Sequence, residues 1–324
     1  MSYELLIQNG NDTFIPVVED GIEWSTVRSG SPGTLKFNVH WDSKLNITEG
    51  NAVSFKWNGN NIFFGFIFKI SRDKEQVLSI TAYDQLRYLK NKETYVYENM
   101  RADQVVRMIA TDFRLQTGVI ENTGYIIPSM VEDGQTLFDI IQNALDETLK
   151  NRTNIYVLYD DFGKIALKGL SSMAVGEPGA YLLIDEATGQ NFSYDTSIDE
   201  STYNQIKLYF DNEATGQRDV YMSRSGVNIN NWGVLQLYES IEEGEDGQAK
   251  ADALLKLYNA KTKKLSIQDA IGDCRVRSGS LVGVIMDLGD TKVNNMMMVE
   301  SCKHKFSEND HTMTLDLKGG GFLG

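Results

Sequence analysis

Cysteine, histidine and aspartate, the side chains that bind metals and move protons, meet in one stretch near the C-terminal end of this 324-residue chain, SCKHKFSENDHTMTLDL at 301–317. Cys302, His304 and His311, with Asp310 beside them, are the candidate ligands of a metal ion or the candidate groups of an acid/base site. The same spacing fits a β-hairpin turning over 307–310. Such a pairing sets Phe306 opposite His311, His304 opposite Met313 and Cys302 opposite Leu315. It places Cys302, His304, Phe306, His311, Met313, Leu315 and Leu317 on one face. The histidines are then diagonal neighbours at about 7–8 Å, a separation two imidazoles can bridge through an ion. A catalytic zinc takes three protein ligands and an open position, however, and Cys302 lies further along the strand than His304. The remaining face is Met, Phe and Leu. The reading preferred here is a buried hairpin face with two polar-tipped members, and no metal or cofactor is expected.

Other chemistry has less to stand on. His40 falls on the polar face of GTLKFNVHW and reads as a surface residue. No glycine-rich loop has a phosphate-binding spacing, and neither G-x-S-x-G nor H-E-x-x-H occurs. A glycosidase needs only two carboxylates held roughly 5–10 Å apart, and YDD at 159–161 and ESIEEGEDG at 239–247 are the places to look. Asp160 and Asp161 are read as hairpin-turn residues, since Asp tolerates turn backbone angles. Glu239, Glu242, Glu243, Glu245 and Asp246 are read as a solvated loop leading into a helix N-terminus, where negative charge is favoured. Phe55, Trp57, Phe64, Phe66 and Phe68 alternate along strands and could line a sugar groove, but such residues more often form core or subunit interface.

The elements that must position these residues follow from hydrophobic period. In GTLKFNVHW, Leu35, Phe37, Val39 and Trp41 share one face, the period of two of a half-buried strand. The meander continues through AVSFKWNGNNIFFGFIFKISRDKEQVLSITAYDQL, with a tight turn at NGNN and an exposed connection at RDKEQ. Residues 1–92 are therefore assigned to a first small β-barrel or sandwich. From 93 to 194 the period changes. Ala102, Val105, Ile109 and Phe113 make one helical stripe, and Leu137, Ile141, Leu145 and Leu149 another, capped either by Asp133 or by a Thr136–Asp139 box. With the hairpin IYVLYDDFGKIALKGL, this is an α+β middle domain. Strands return over 195–318, interrupted near 247–262 by a helix with Ala251, Leu254, Leu255 and Tyr258 on one face; 319–324 is a tail. The fold class is α+β, mostly β, in two or three domains joined without long flexible linkers.

A net charge of −14 and an isoelectric point near 4.7 leave no clustered Lys and Arg to displace phosphate counterions, so specific nucleic-acid binding is not expected. MSYELLIQNG lacks the basic and apolar regions of a secretory signal, and no apolar run approaches a membrane span. Cys274 and Cys302 are accordingly read as thiols in a reducing cytoplasm.

GNAVSFKWNGNNIFFGFIFKISRDKEQVLSITAYDQLRYLKNK resembles the first barrel of phage late-control D proteins, the baseplate hubs of contractile tails, of the type found in prophages and phage-tail-like bacteriocins of Gram-positive bacteria. The succession VEDGQTLFDIIQNALDET, YVLYDDFGKIAL, YNQIKL, WGVLQ, a helix, GDCRVRSGSLV and HTMTLDLKGG extends the resemblance along nearly the whole chain. These motifs are structural punctuation and carry no catalytic signature. The resemblance implies a homotrimer of two tube-like β-barrels per subunit, giving a six-domain ring between the sixfold tail tube and a trimeric central spike. The middle domain would pack outside, and other baseplate proteins and the tape-measure protein would be neighbours. It implies assembly in the bacterial cytoplasm, then residence in the baseplate of a virion or bacteriocin. The residues themselves leave open a cell-wall-degrading enzyme using a carboxylate pair, and a carbohydrate-binding module in which Trp24, Trp41, Trp57 or Trp232 contacts sugar.

Overall fold

The computed structural model describes residues 2–42, 45–152, 154–177, 179–189, 191–199, 202–212, 216–241, 245–289 and 292–319. The chain forms two compact units, one made of Met1–Ser193 with Ser266–Gly324 and the other of Tyr194–Leu265. Both are dominated by strands.

The first unit begins with an antiparallel meander. Thr34–His40 alternates as its sequence requires, with Leu35, Phe37 and Val39 buried. Trp41, expected on the same face, is 42% exposed, because the strand ends at His40 and the indole lies beyond it under the Arg72 guanidinium. At the NGNN turn Asn58 and Gly59 both have positive φ, the backbone that a two-residue hairpin turn demands. Leu5, Ile7, Val53, Phe55, Trp57, Ile67 and Ile80 complete the core of this layer.

Residues 92–173 add the expected helices. Ala102–Asp112 buries Ala102, Val105, Val106 and Ile109, and Leu137–Arg152 buries Leu137, Ile140, Ile141, Ala144 and Leu145. Leu149 is 40% exposed near the end of that helix. Its N-terminus uses the second of the two capping options: Thr136 Oγ1 accepts the Asp139 N–H at 3.1 Å, whereas Asp133 accepts the Thr94 hydroxyl. Both helices pack around one core with Lys92–Met100, Ile127–Thr136 and the strands Thr117–Ile120 and Ile165–Gly169.

The C-terminal strands then return to the first layer. Lys292–Phe306 runs 15 residues. Its first half pairs antiparallel with Leu281–Asp287 and its second half with Ile22–Val27, while His311–Lys318 lies along its other edge. One sheet thus runs from the first strands of the chain to the last. Among the described residues its strand path is open and closes into no barrel.

In the Tyr194–Leu265 unit, Gln205–Asn212 pairs antiparallel with Gln217–Arg224 and parallel with Gln236–Ser240. The helix Gly247–Tyr258 lays Ala251, Leu254 and Leu255 over Ile206 and Leu208. Asp246 caps that helix by accepting the Ala249 N–H, and Glu245 pairs with Lys250 at 2.7 Å; Glu239 is exposed on its strand. Glu242 and Glu243 lie outside the described residues.

Candidate functional site

The hairpin has the register that alternation dictates: Phe306 opposite His311, His304 opposite Met313, Cys302 opposite Leu315. Its buried face is pressed against the first β layer. Trp24 stacks on His304 with centroids 5.0 Å apart, and Phe306 stacks on His311 at 4.3 Å while contacting Phe55 and Trp57. His304 is fully buried and His311 is 6% exposed. Gly272 lies directly over the His311 ring, where any Cβ would collide with it, and donates its N–H to the His311 carbonyl at 2.8 Å.

The histidines are closer than their diagonal placement alone suggests, because the side chains turn toward each other: His304 Nδ1 and His311 Nε2 are 2.8 Å apart. Proton positions follow by elimination. His304 Nε2 lies 2.9 Å from the Val276 carbonyl, which can only accept, so that nitrogen carries the proton. Cys302 Sγ, 3.0 Å from the same nitrogen, is a second, weaker acceptor of that N–H. His304 Nδ1 is then bare and accepts from His311 Nε2–H. This leaves His311 Nδ1 as an acceptor facing Cys274 Sγ at 3.9 Å. Every proton in the chain has one place, and both rings are neutral. Burial, and then the neighbouring His311, drives the His304 pKa down to about 3; burial drives His311 down to about 4. The thiols move the other way: burial pushes Cys302 far up and Cys274 up to about 11, so neither is a thiolate near neutrality.

A metal does not fit this geometry. Two imidazole nitrogens on one zinc stand roughly 3.3 Å apart, given a Zn–N bond near 2.05 Å and tetrahedral angles, and here they share a hydrogen bond at 2.8 Å. Cys302 sits at the opposite nitrogen of His304, so no third ligand converges on the same point. Among the described residues no group of three or more His, Cys, Asp or Glu is placed to hold an ion. Asp310 stays at the turn, where it accepts the His311 N–H.

The other candidates are scattered. His40 is exposed, 3.5 Å from Glu19. Phe55, Trp57 and Trp24 are core residues, and the half-buried Phe64, Phe66 and Phe68 pack against Phe162, Tyr83 and Tyr88. Asp160 serves the turn through its side chain, which accepts the Gly163 N–H at 2.6 Å. Positive φ falls on Phe162 and Gly163, while Asp160 ends the strand Tyr156–Asp160 with 7% exposure. It shares a cavity with Asp84, a residue the sequence did not single out. At about 20 Å³ that cavity admits a water and no sugar ring. Among the described residues no helix is long and apolar enough to cross a membrane.

The fold is one that phage tail proteins also have. The chain superposes over 97% of its length on 98% of the 43 kDa tail protein of prophage MuSo2 from Shewanella oneidensis, with a TM-score of 0.69 at 11% identity. The E. coli type VI secretion component c3393, itself described as similar to the T4 tail proteins gp27 and gp5, gives a TM-score of 0.58 at 11% identity, over 99% of this chain and 78% of that one. At such identities the likeness is one of fold. The chain belongs to the YQBQ-like family, whose model matches residues 22–318. XkdQ of the phage-like element PBSX of Bacillus subtilis (strain 168) is 34% identical over 280 residues, covering 84% of this chain and 82% of that protein.

Proposed function

We propose that the chain is a structural baseplate hub of the late-control D type, working without catalysis or cofactor in a contractile phage tail or phage-tail-like particle. Three copies would form a ring that joins the sixfold tail tube to the trimeric central spike, with the tape-measure and other baseplate proteins as neighbours. In this reading residues 1–92 and 195–318 supply the two tube-like domains, 93–194 packs outside them, and assembly in the bacterial cytoplasm precedes residence in the particle. The observation that carries it is the joint between the two β layers. The strand Lys292–Phe306 is hydrogen-bonded to Ile22–Val27, Arg28 pairs with Glu300 at 2.9 Å, and a buried aromatic and imidazole stack fills the space behind. Two β layers locked side by side in one chain are what a threefold ring needs in order to present six similar positions, and such a joint transmits force without hinging.

An exposed aromatic face supports the reading as well. On the sheet face of the Tyr194–Leu265 unit opposite its helix, Tyr209 stacks on Tyr238 at 4.8 Å, Arg218 covers Tyr209, and Val220 and Met222 are each more than 40% exposed. Tyr, Arg and Met are the types enriched where proteins meet. Native mass spectrometry of the chain, alone and with its candidate spike, tests the proposal. A metal-free trimer, or a monomer that becomes three copies on the spike, supports it; a monomer in both samples, or hydrolysis of purified cell walls that one carboxylate-to-amide change abolishes, refutes it.

A further inference from the structure

Away from the histidines, two carboxyls line one small, partly open cavity of the first unit. Asp84 follows the strand Val77–Tyr83 and caps the turn Gln85–Lys90. Its Oδ1 accepts the Leu86 N–H at 3.0 Å and its Oδ2 the Gly33 N–H at 2.8 Å. Gly33 must be glycine, since a Cβ there would strike that carboxyl. Asp160 arrives from the hairpin of the middle region. Its Oδ1 accepts the Gly163 N–H at 2.6 Å, and its main-chain carbonyl accepts Arg277 Nη1–H at 2.7 Å. Arg277 comes from the C-terminal stretch and lies over the rings of Tyr159 and Trp24. Asp160 Oδ2, fully enclosed, has no hydrogen-bond partner. The Gln85 side chain is engaged with Gln116, whose N–H it accepts and to whose carbonyl it donates; its amide and main-chain N–H groups lie close enough to Asp160 to favour the charged carboxylate, though neither reaches hydrogen-bond geometry with Oδ2.

Asp84, Asp160, Tyr159 and Arg277 are the titratable groups that line the cavity. Two carboxylates against one guanidinium leave one negative charge in a small space beside a buried oxygen that accepts no protein donor. A metal cation would have to stand next to Arg277 and find a coordination shell in a volume of about 20 Å³, room for about one water. A proton needs neither. We infer that this cavity binds one water molecule, which donates to Asp160 Oδ2, and that the two carboxyls lining it, Asp84 and Asp160, retain one proton, so that the cavity acts as a clasp between three separate stretches of chain.

Electrostatics agree with the geometry. Burial, and after it the charge of Asp160, pushes Asp84 well above the carboxylate range, and burial pushes Asp160 up to about 6. The two titrate as a pair with one proton retained near neutrality. Carboxyls that bind protons more tightly folded than unfolded stabilise the fold below their unfolded pKa and lose that contribution as pH rises through the folded values. The clasp therefore loosens toward alkaline pH.

Infrared difference spectroscopy on the full chain between pH 5.5 and 9 reads the proton directly. The expected result is a protonated-carboxyl band present at pH 7, lost on raising the pH, and missing from D84N and D160N. Because Asp160 Oδ2 accepts no protein donor, the amide of D160N can keep its oxygen on the Gly163 N–H and mimic the protonated carboxyl, so D160N is expected to keep the wild-type melting temperature at pH 7 and to flatten its fall between pH 7 and 9. Wild-type carboxyls fully ionised at pH 7 overturn the inference. So does a D160N protein that melts several degrees lower at pH 7 with an unchanged alkaline fall. A melting temperature that responds to exchange of sodium for potassium without any protonated-carboxyl band assigns a cation instead and also overturns it. If D160N fails to fold, the wild-type spectrum decides alone.

Discussion

Replacing both buried histidines with non-titrating rings, H304F/H311F, tests the hydrogen-bonded pair quantitatively. In the unfolded chain each histidine has a pKa near 6.5, whereas in the fold burial holds them down to about 3 and about 4. Folding must then exclude protons that the unfolded chain takes up. Histidines depressed in this way give their full contribution above about pH 6.5, and it is lost as pH falls toward the folded values. At pH 5 both rings are still neutral in the fold, so the loss per histidine is the distance from 6.5 to 5 times 1.36 kcal/mol, about 2 kcal/mol. His304 contributes that in full; His311, nearer the surface, contributes up to the same amount, screening reducing it. The pair therefore removes about 3–4 kcal/mol between pH 7.5 and 5. The Asp84–Asp160 pair works in the opposite direction over part of this range, because its raised pKa values favour the fold as pH falls. The quantity to compare is accordingly the difference between wild type and variant. Urea unfolding followed by tryptophan fluorescence at the two pH values gives it. H304F/H311F is expected to be less stable at pH 7.5, since Val276 loses its donor, yet to lose about 3–4 kcal/mol less than wild type on going to pH 5. Equal losses in the two proteins would refute neutral, buried imidazoles.

Phe306→Ala removes a side chain that touches Phe55, Trp57 and His311, and thermal unfolding is expected to report a loss of about 3–5 kcal/mol. Gly272→Ala drives a methyl group into the His311 ring, and about 1–3 kcal/mol should be lost, with partial recovery when His311 is shortened to Ala in the same chain. Thiol titration of the native protein at pH 8 should find Cys302 unreactive and Cys274 slow, both reacting at once after unfolding; a fast native thiol would contradict the raised pKa values.

What could be read from the sequence was set by local periodicity. Strict alternation in SCKHKF and HTMTLDL determines which residues share a face, and therefore the pairing of His311 with Phe306. The same rule misplaces Trp41, because alternation does not say where a strand stops, and it left the choice between Asp133 and Thr136 as cap open until the helix start was known. The contacts that decide the chemistry lie beyond local pattern. Trp24 reaches His304, Val276 binds His304 Nε2, and Asp84 meets Asp160, each across a sequence separation that no spacing encodes. Asp160 shows the limit most plainly. Asp-Asp-Phe-Gly is turn chemistry, and the turn is there, but its positive φ values fall two residues later and leave the first aspartate inside.

The pairing of Lys292–Phe306 with Ile22–Val27 also sets a schedule for synthesis. The third strand of the chain lacks its neighbour until more than 270 further residues have been made, so the nascent first layer carries an open edge for most of translation. At ribosomal rates of about 5–20 residues per second that interval is tens of seconds. An incomplete chain stopped short of residue 306 keeps this edge and lacks the hairpin face that covers Trp24, and it is a target for aggregation or proteolysis. Only a chain extended through residue 318 has this edge paired, so synthesis of the last hairpin is the step that seals the first layer.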